Sequence, residues 1–207
     1  MRRILFVVLT LLLVLGVMSA AVAVTSQIGN DAIDRQYADS WTNFTIIDTN
    51  NPVMYDGYFD EVTFYAARDG FINFVVVDSD GYVTYISEEF EVTTAQIDAV
   101  VTVSLSTPAG VTAGDNLGYY TKYNGVIPHD RPLGEETLWT TNAYGPLTVG
   151  DMFPDDPTYA QHRVYSLNAT VHATSPDICK KGGWEDYGYK NQGQCIASIV
   201  ANENAGK

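Results

Sequence analysis

Three histidines, His129, His162 and His172, are the residues best suited to proton transfer at neutral pH. His129-Asp130 together with Ser166 would supply the residue types of a nucleophile, base and orienting acid. No nucleophile elbow of the GxSxG kind accompanies them. Scattered histidines of this sort read more simply as surface or edge residues. Three adjacent carboxylate pairs, Glu88-Glu89, Glu135-Glu136 and Asp155-Asp156, offer the chemistry of glycoside hydrolysis. Neighbours in a strand point to opposite faces, however, so such pairs rarely act together. There is also no P-loop, no GxGxxG and no HExxH. Together these absences point to a non-enzymatic protein, with an exported hydrolase as the least favoured reading.

Hard-cation binding is the next chemistry the carboxylates allow. Asp69, Asp78 and Asp80 form one candidate Ca²⁺ set, and Asp151, Asp155 and Asp156 another. Neither has EF-hand spacing, and Asp78-Ser79-Asp80-Gly81 is also ordinary hairpin-turn chemistry. Tyrosine is abundant, with 14 residues. Tyr119, Tyr120, Tyr123 and Trp139 are the candidate ligand contacts, because Tyr and Trp can lie flat against sugar rings while their polar tips hydrogen-bond. Trp41 and Trp184 are further aromatic candidates, although tyrosine also suits half-buried strands. Asn43-Phe44-Thr45 and Asn168-Ala169-Thr170 are N-glycosylation sequons.

These residues sit in a chain of 207 residues with a formal charge of −14 and 46% hydrophobic residues. The opening Met1-Arg2-Arg3, the apolar run Ile4 to Val17 and the exit Ala21-Val22-Ala23 read as a secretory signal peptide over residues 1–23. The alternative is a retained anchor, since Ile4 to Val24 is long enough to span a bilayer. Membrane contact is expected only in that case, and either reading places the remainder outside the cytoplasm, secreted or at the cell surface. Beyond residue 23 the chain holds nine basic and 25 acidic residues, a balance of −16. That excludes the clustered basic surface that nucleic-acid binding needs.

Cys179 and Cys195 are the only cysteines, 16 positions apart. In an exported chain they are expected to pair. Two thiols without a neighbouring histidine cannot complete a zinc site, and redox chemistry prefers CxxC spacing. The bridge would staple residues 177–207 into a small, turn-rich C-terminal module too short for its own core.

Between them, residues 38–174 read as an all-β domain. Short alternating runs are separated by Gly, Asp, Asn and Pro. Val62, Phe64 and Ala66 share one face of a strand, and Tyr165, Leu167, Ala169 and Val171 share one face of another. Phe71 to Val77 is apolar on both faces, which suits a central strand, and forms a hairpin with Tyr82 to Ile86. A single helical turn fits Thr93 to Asp98. Residues 125–160 read as a long loop with one weak strand near Thr137 to Thr141. Seven or eight such strands are best buried as an antiparallel β-sandwich, jelly-roll-like in type.

Two segments carry a family resemblance. Cys179 to Val200, CKKGGWEDYGYKNQGQCIASIV, resembles the CKxGGW…(F/Y)GxKNQGxC(V/I) disulfide tail of uncharacterised exported prokaryotic proteins. Asn43 to Pro52, Asp56-Gly57, Val111 to Asp115, Gly118 to Tyr120 and Gly125 to Pro128 resemble, in that order, secreted jelly-roll-like domains of unknown function. Those domains commonly carry a Gly or small polar residue where this chain has Met54-Tyr55. The resemblance implies export and a recurrent C-terminal module and carries no activity. The function expected is a secreted or cell-surface binding module for polysaccharide or another envelope component, with no cofactor unless Ca²⁺. The alternative is a structural subunit of an extracellular layer or filament.

Overall fold

A computed structural model describes residues 24–132, 140–141, 147–153 and 163–205. Eight strands of it roll up as one long hairpin. In chain order they are β1 (Thr25–Gly29), β2 (Phe44–Asp48), β3 (Gly57–Ala66), β4 (Gly70–Val77), β5 (Val83–Ile86), β7 (Ala99–Val111), β8 (Asn116–Thr121) and β12 (Leu167–Ala173). The first pairs with the last, β2 with β8, β3 with β7, and β4 with β5, all antiparallel. Two further pairings, β12 with β3 and β8 with β4, close the sheets β1-β12-β3-β7 and β2-β8-β4-β5. This nested pairing across two sheets is jelly-roll topology. Short strands complete it. β6 (Phe90–Val92) pairs with β4, β9 (His129–Asp130) with β11 (Val164–Tyr165), and β10 (Thr140–Thr141) with β2.

The alternation in the sequence decides which side chains enter the core. Val62, Phe64, Leu167, Ala169 and Val171 are almost fully buried between the sheets. Along β4, Ile72, Phe74 and Val76 enter the same core. Val75 and Val77 face the other way, into a second cluster with Ile47, Val83, Tyr120 and Phe153. The doubly apolar run is therefore a central strand, as its composition implies. The β4–β5 turn closes with the Gly81 amide donating to the Asp78 carbonyl at 3.1 Å. The expected helical turn is a 3-10 turn at Thr94–Gln96 with a Thr93/Gln96 capping box.

The sheet begins earlier than residue 38. Strand β1 lies along β12, and Val24 is already buried. In Thr25–Gly29 only Ile28 is a large apolar residue, so no alternation marks this edge strand in the sequence.

Cys179 and Cys195 form a disulfide. The tail it staples is more helical than a turn-rich miniature: a kinked 3-10 segment over Pro176–Gly182 is followed by α1 (Gly183–Asp186) and α2 (Gln192–Ala205). It does not hang free. Cys179, Cys195 and Ile199 are fully buried in one cluster with the sandwich core, and Trp184, Tyr187 and Tyr189 pack against it. The Tyr187 ring meets Tyr55 edge-on at 5.6 Å. Among the described residues no helix is long and apolar enough to cross a membrane.

Candidate functional site

Beyond residue 23 the chain has four arginines, Arg35, Arg68, Arg131 and Arg163, and the fold brings all of them to one end of the sandwich. Their centre is Asp39. Arg163 Nη1 donates to Asp39 Oδ1 at 2.6 Å, and the Tyr165 hydroxyl donates to Asp39 Oδ2 at 2.8 Å. Arg68 Nη1 donates to the Asp39 carbonyl at 2.7 Å. The antiparallel pairing of β9 with β11 carries His129 to the same place, opposite Tyr165. Arg131 Nε donates to His129 Nε2 at 3.4 Å, which leaves the imidazole proton on Nδ1. That Nδ1 lies 3.7 Å from Asp39 Oδ2, fully enclosed and without a hydrogen-bond partner.

Burial and the charges of Arg163 and Arg131 pull the His129 pKa down, against Asp39 and Asp130, to about 4. The ring is neutral at pH 7. Burial likewise pushes the phenols of Tyr165 and Tyr119 well above their ordinary range.

This arrangement does not make a catalytic triad. The Ser166 hydroxyl donates to the Ile33 carbonyl at 2.6 Å. The Asp130 carboxylate accepts from Arg35 Nη1 and from the Gln36 amide, both at 3.0 Å. Asp39, which no motif marks, is the acid that faces His129. Asp39, His129, Arg163, Tyr165 and Ser166 are buried, and the hydrogen bonds of the Asp39 and Ser166 oxygens lock the segment before β2 onto β9 and β11. His172 lies elsewhere, against the Tyr58 ring at 5.3 Å.

Two of the four expected ligand contacts are core residues. Tyr119 is 0% exposed and meets the rings of Phe44 and Tyr165 edge-on, and Tyr120 belongs to the second cluster. Both stand on β8, which is flanked on each side by another strand. The inter-sheet core covers Tyr119 on one face of that sheet and the second cluster covers Tyr120 on the other, so neither offers a ring to a ligand. Tyr123 is different: it is 50% exposed, just beyond the end of β8. Trp41 is likewise exposed. Trp139, His162, Glu135, Glu136, Asp155 and Asp156 lie outside the described residues.

Tyr123 lines a cleft of about 420 Å³ with Phe71, Asp69, Glu91, Thr93 and Thr94. Its ring lies 6.2 Å from that of Phe71, and the Lys122 ammonium is 5.8 Å from its centre. Pairing of β4 with β6 sets Phe71 opposite Glu91. The capping box, in which the Thr93 amide donates to Gln96 Oε1 at 2.9 Å, fixes the far wall. Aromatic rings beside carboxylate and hydroxyl groups are the surface that a hydroxyl-rich, weakly apolar ligand requires. Asp69 and Glu91 are both exposed, without the enclosed setting that a general acid needs.

Asp69 therefore lines one cleft while Asp78 and Asp80 line another, with Ile47, Val77 and Met152. Asp78 Oδ1 accepts from the amides of Asp80 and Tyr82 at 3.0 and 2.8 Å, closing its own turn. Asp151 similarly accepts from the Thr148 amide and hydroxyl. Among the described residues no group of three or more His, Cys, Asp or Glu is placed to hold a metal ion. Of the sequon residues, Asn43 takes a left-handed φ of 59° and accepts from the Tyr120 hydroxyl at 2.7 Å. The Asn168 side chain is partly exposed on the outer side of β12, and its amide donates to the Asn30 carbonyl at 3.0 Å.

Comparison with known proteins adds little to this geometry. No family model matches the chain, and no curated protein does. A solved ruminal GH26 endo-beta-1,4-mannanase is similar over 83% of this chain and 27% of its own, at 13% identity and a TM-score of 0.30. This chain thus spans about a quarter of that enzyme's length, and a likeness so low carries no argument about fold or function.

Proposed function

We propose that the protein is an exported, non-catalytic module that binds polysaccharide in the Tyr123 cleft. The observation that carries this reading is the half-exposed Tyr123 ring beside Phe71, with Asp69, Glu91, Thr93 and Thr94 around it. Flat rings cover the apolar face of a sugar, and the carboxylates accept its hydroxyl protons. Two carboxylates in the cleft of a strongly acidic protein repel anionic chains, so the ligand is a neutral polysaccharide rather than a polyuronate. The apolar leader over residues 1–23 and the disulfide support export.

Affinity electrophoresis through gels containing soluble β-glucan, xylan, galactomannan or pectic polyuronate tests the reading. At least one neutral polymer retards the protein. Tyr123→Ala weakens that retardation up to about tenfold, the scale of one aromatic contact. Prolonged incubation releases no reducing ends. Equal migration of wild type and Tyr123→Ala in every gel would overturn the assignment of the cleft.

A further inference from the structure

The two acids of the Tyr123 cleft stand in a fixed relation to its rings. Ile72 of β4 and Val92 of β6 enter the core. Phe71 and Glu91, paired across those strands, therefore face outward together. Asp69 comes two residues before Phe71 and lines the same cleft. Phe71 thus has one carboxylate across the strand pair and one along the chain. Both acids are exposed, and among the described residues neither carboxylate accepts a hydrogen bond or pairs with a cation. Several other acids have structural duties. Asp78 and Asp151 close turns, and Glu88 accepts from the Ser106 amide. Asp69 and Glu91 have no such duty.

The cleft also draws a cation from the chain itself. The Lys122 ammonium lies 5.8 Å from the centre of the Tyr123 ring, near the outer limit of a cation–π contact. The ring face takes positive charge because its quadrupole is negative there. Hydroxyl groups use this setting incompletely. A hydroxyl offers one proton to a carboxylate, whereas an ammonium offers three donors and a full charge. Hydrogen bonds in which both partners are ionised are the stronger kind.

We infer that the cleft prefers glycans bearing free amino groups: the Tyr123 and Phe71 rings cover the sugar, and Asp69 and Glu91 hold an ammonium that replaces one of its hydroxyls. This rests on the polysaccharide reading of the cleft and orders its ligands, with aminated chains above neutral ones and polyuronates last. Lys122 competes with the ligand's ammonium for the Tyr123 ring. The preference is local. At physiological salt, exposed charges more than about 8 Å away are largely screened, so the two carboxylates outweigh the acidic remainder of the surface.

Isothermal titration with three β-1,4-linked hexamers that differ only at C2 tests the preference. Cellohexaose carries a hydroxyl there, the N-acetylglucosamine hexamer an acetamide, and the glucosamine hexamer an ammonium. Mildly acidic buffer keeps the amines protonated and the carboxylates ionised. The glucosamine hexamer binds on the order of tenfold tighter than cellohexaose, the scale of two exposed charge pairs. Asp69→Asn with Glu91→Gln removes that preference. Glu185→Gln with Asp186→Asn takes the same charge from the exposed tail and keeps it. Lys122→Gln strengthens binding of the glucosamine hexamer and leaves cellohexaose unimproved. Circular dichroism checks that each variant is folded. Cellohexaose or the acetylated hexamer binding as tightly as the glucosamine hexamer, and losing affinity in Tyr123→Ala, would overturn the preference and leave the polysaccharide reading standing. Glucosamine binding indifferent to Tyr123→Ala, or lowered equally by the cleft pair and the tail pair, would refute it as general attraction of a polycation to an acidic protein. Failure of all three hexamers to bind would overturn it as well, while retardation by neutral polymers in gels decides the broader reading separately.

Discussion

Arg163 and Asp39 are 124 residues apart in sequence and 2.6 Å apart in the fold. The pair fastens the loop before β2 to the start of the last strands, and its buried position fixes how much it matters. Burial acts against the Arg163 charge, but Tyr165 and Asp39 beside it outweigh that and hold the guanidinium above its ordinary range. Removing the acid leaves the cation enclosed. Asp39→Ala is expected to cost on the order of 3–5 kcal/mol, the usual consequence of breaking a buried pair from one side. Tyr165→Phe keeps the ring and loses only hydroxyl bonds, so about 1–3 kcal/mol is expected. Urea denaturation of the two variants checks the ranking, and an Asp39→Ala no weaker than Tyr165→Phe would show that the pair is not the centre of the lock.

The same cluster sets a pH dependence. His129 titrates at about 4 when folded and near 6.5 when unfolded. Between those values the unfolded chain holds a proton that the folded chain does not. Stability contributed at this site is therefore full above about pH 7 and falls as the pH drops from 6.5 toward 4, by on the order of 3 kcal/mol in all. Asp48 acts with the opposite sign: burial raises its pKa against four hydrogen bonds, so its contribution falls as the pH rises. The difference between wild type and His129→Phe isolates the histidine. Melting temperatures measured from pH 4 to 8 should show a slope in wild type that is flatter in the variant, and parallel curves would count against the assignment.

The tail offers a prediction about covalent structure. Cys179 and Cys195 close a loop of about 15 residues, for which chain entropy gives roughly 3 kcal/mol. Both sulfurs are buried with Ile199 and the sandwich core, so losing the bond also loosens the docking of Tyr187 on Tyr55. Cys179→Ser with Cys195→Ser is expected to lower stability by about that amount and to expose residues 176–205 to protease. The sandwich, none of whose strand pairings involves the tail, is expected to survive the digestion. Mass spectrometry of limited digests distinguishes this from global unfolding.

Much of this was legible in the residues, and the boundary has physical causes. Period-2 alternation found β3 and β12, because each buries one clean face, and the doubly apolar run found β4, the central strand. β1 was not legible, since an edge strand with one apolar residue leaves no pattern. The tyrosines misled for a related reason. Tyr119 and Tyr120 lie on β8 between β2 and β4, and only tertiary placement separates them from Tyr123 a few residues on. Asp39 and Arg163 carry no local motif, and a contact across 124 residues leaves no trace in spacing. What the sequence could have offered is scarcity: the four arginines beyond residue 23, in so acidic a chain, each need a partner. The helices of the tail were hidden by glycines, which read as turns until the disulfide and the sandwich supply the packing that such short helices lack alone.

Gly118 tests the sandwich at its most crowded point. It stands on β8 opposite Ile47 of β2 and Val75 of β4. A Cβ there would lie 1.9 Å from the Ile46 carbonyl oxygen and 2.6 Å from Ile47 Cδ1. The side chain of Ile47 can turn aside, but the carbonyl belongs to the ladder that joins β2 to β8 and cannot. Gly118→Ala must therefore push the two central strands apart, at or above the upper end of the about 1–3 kcal/mol usual for overpacking. Gly110→Ala is the matched control, because nothing lies within 4 Å of its Cβ position. Thermal melts should show a large loss for the first and little change for the second. Equal behaviour of the two would mean that β2 and β8 are not paired in this register.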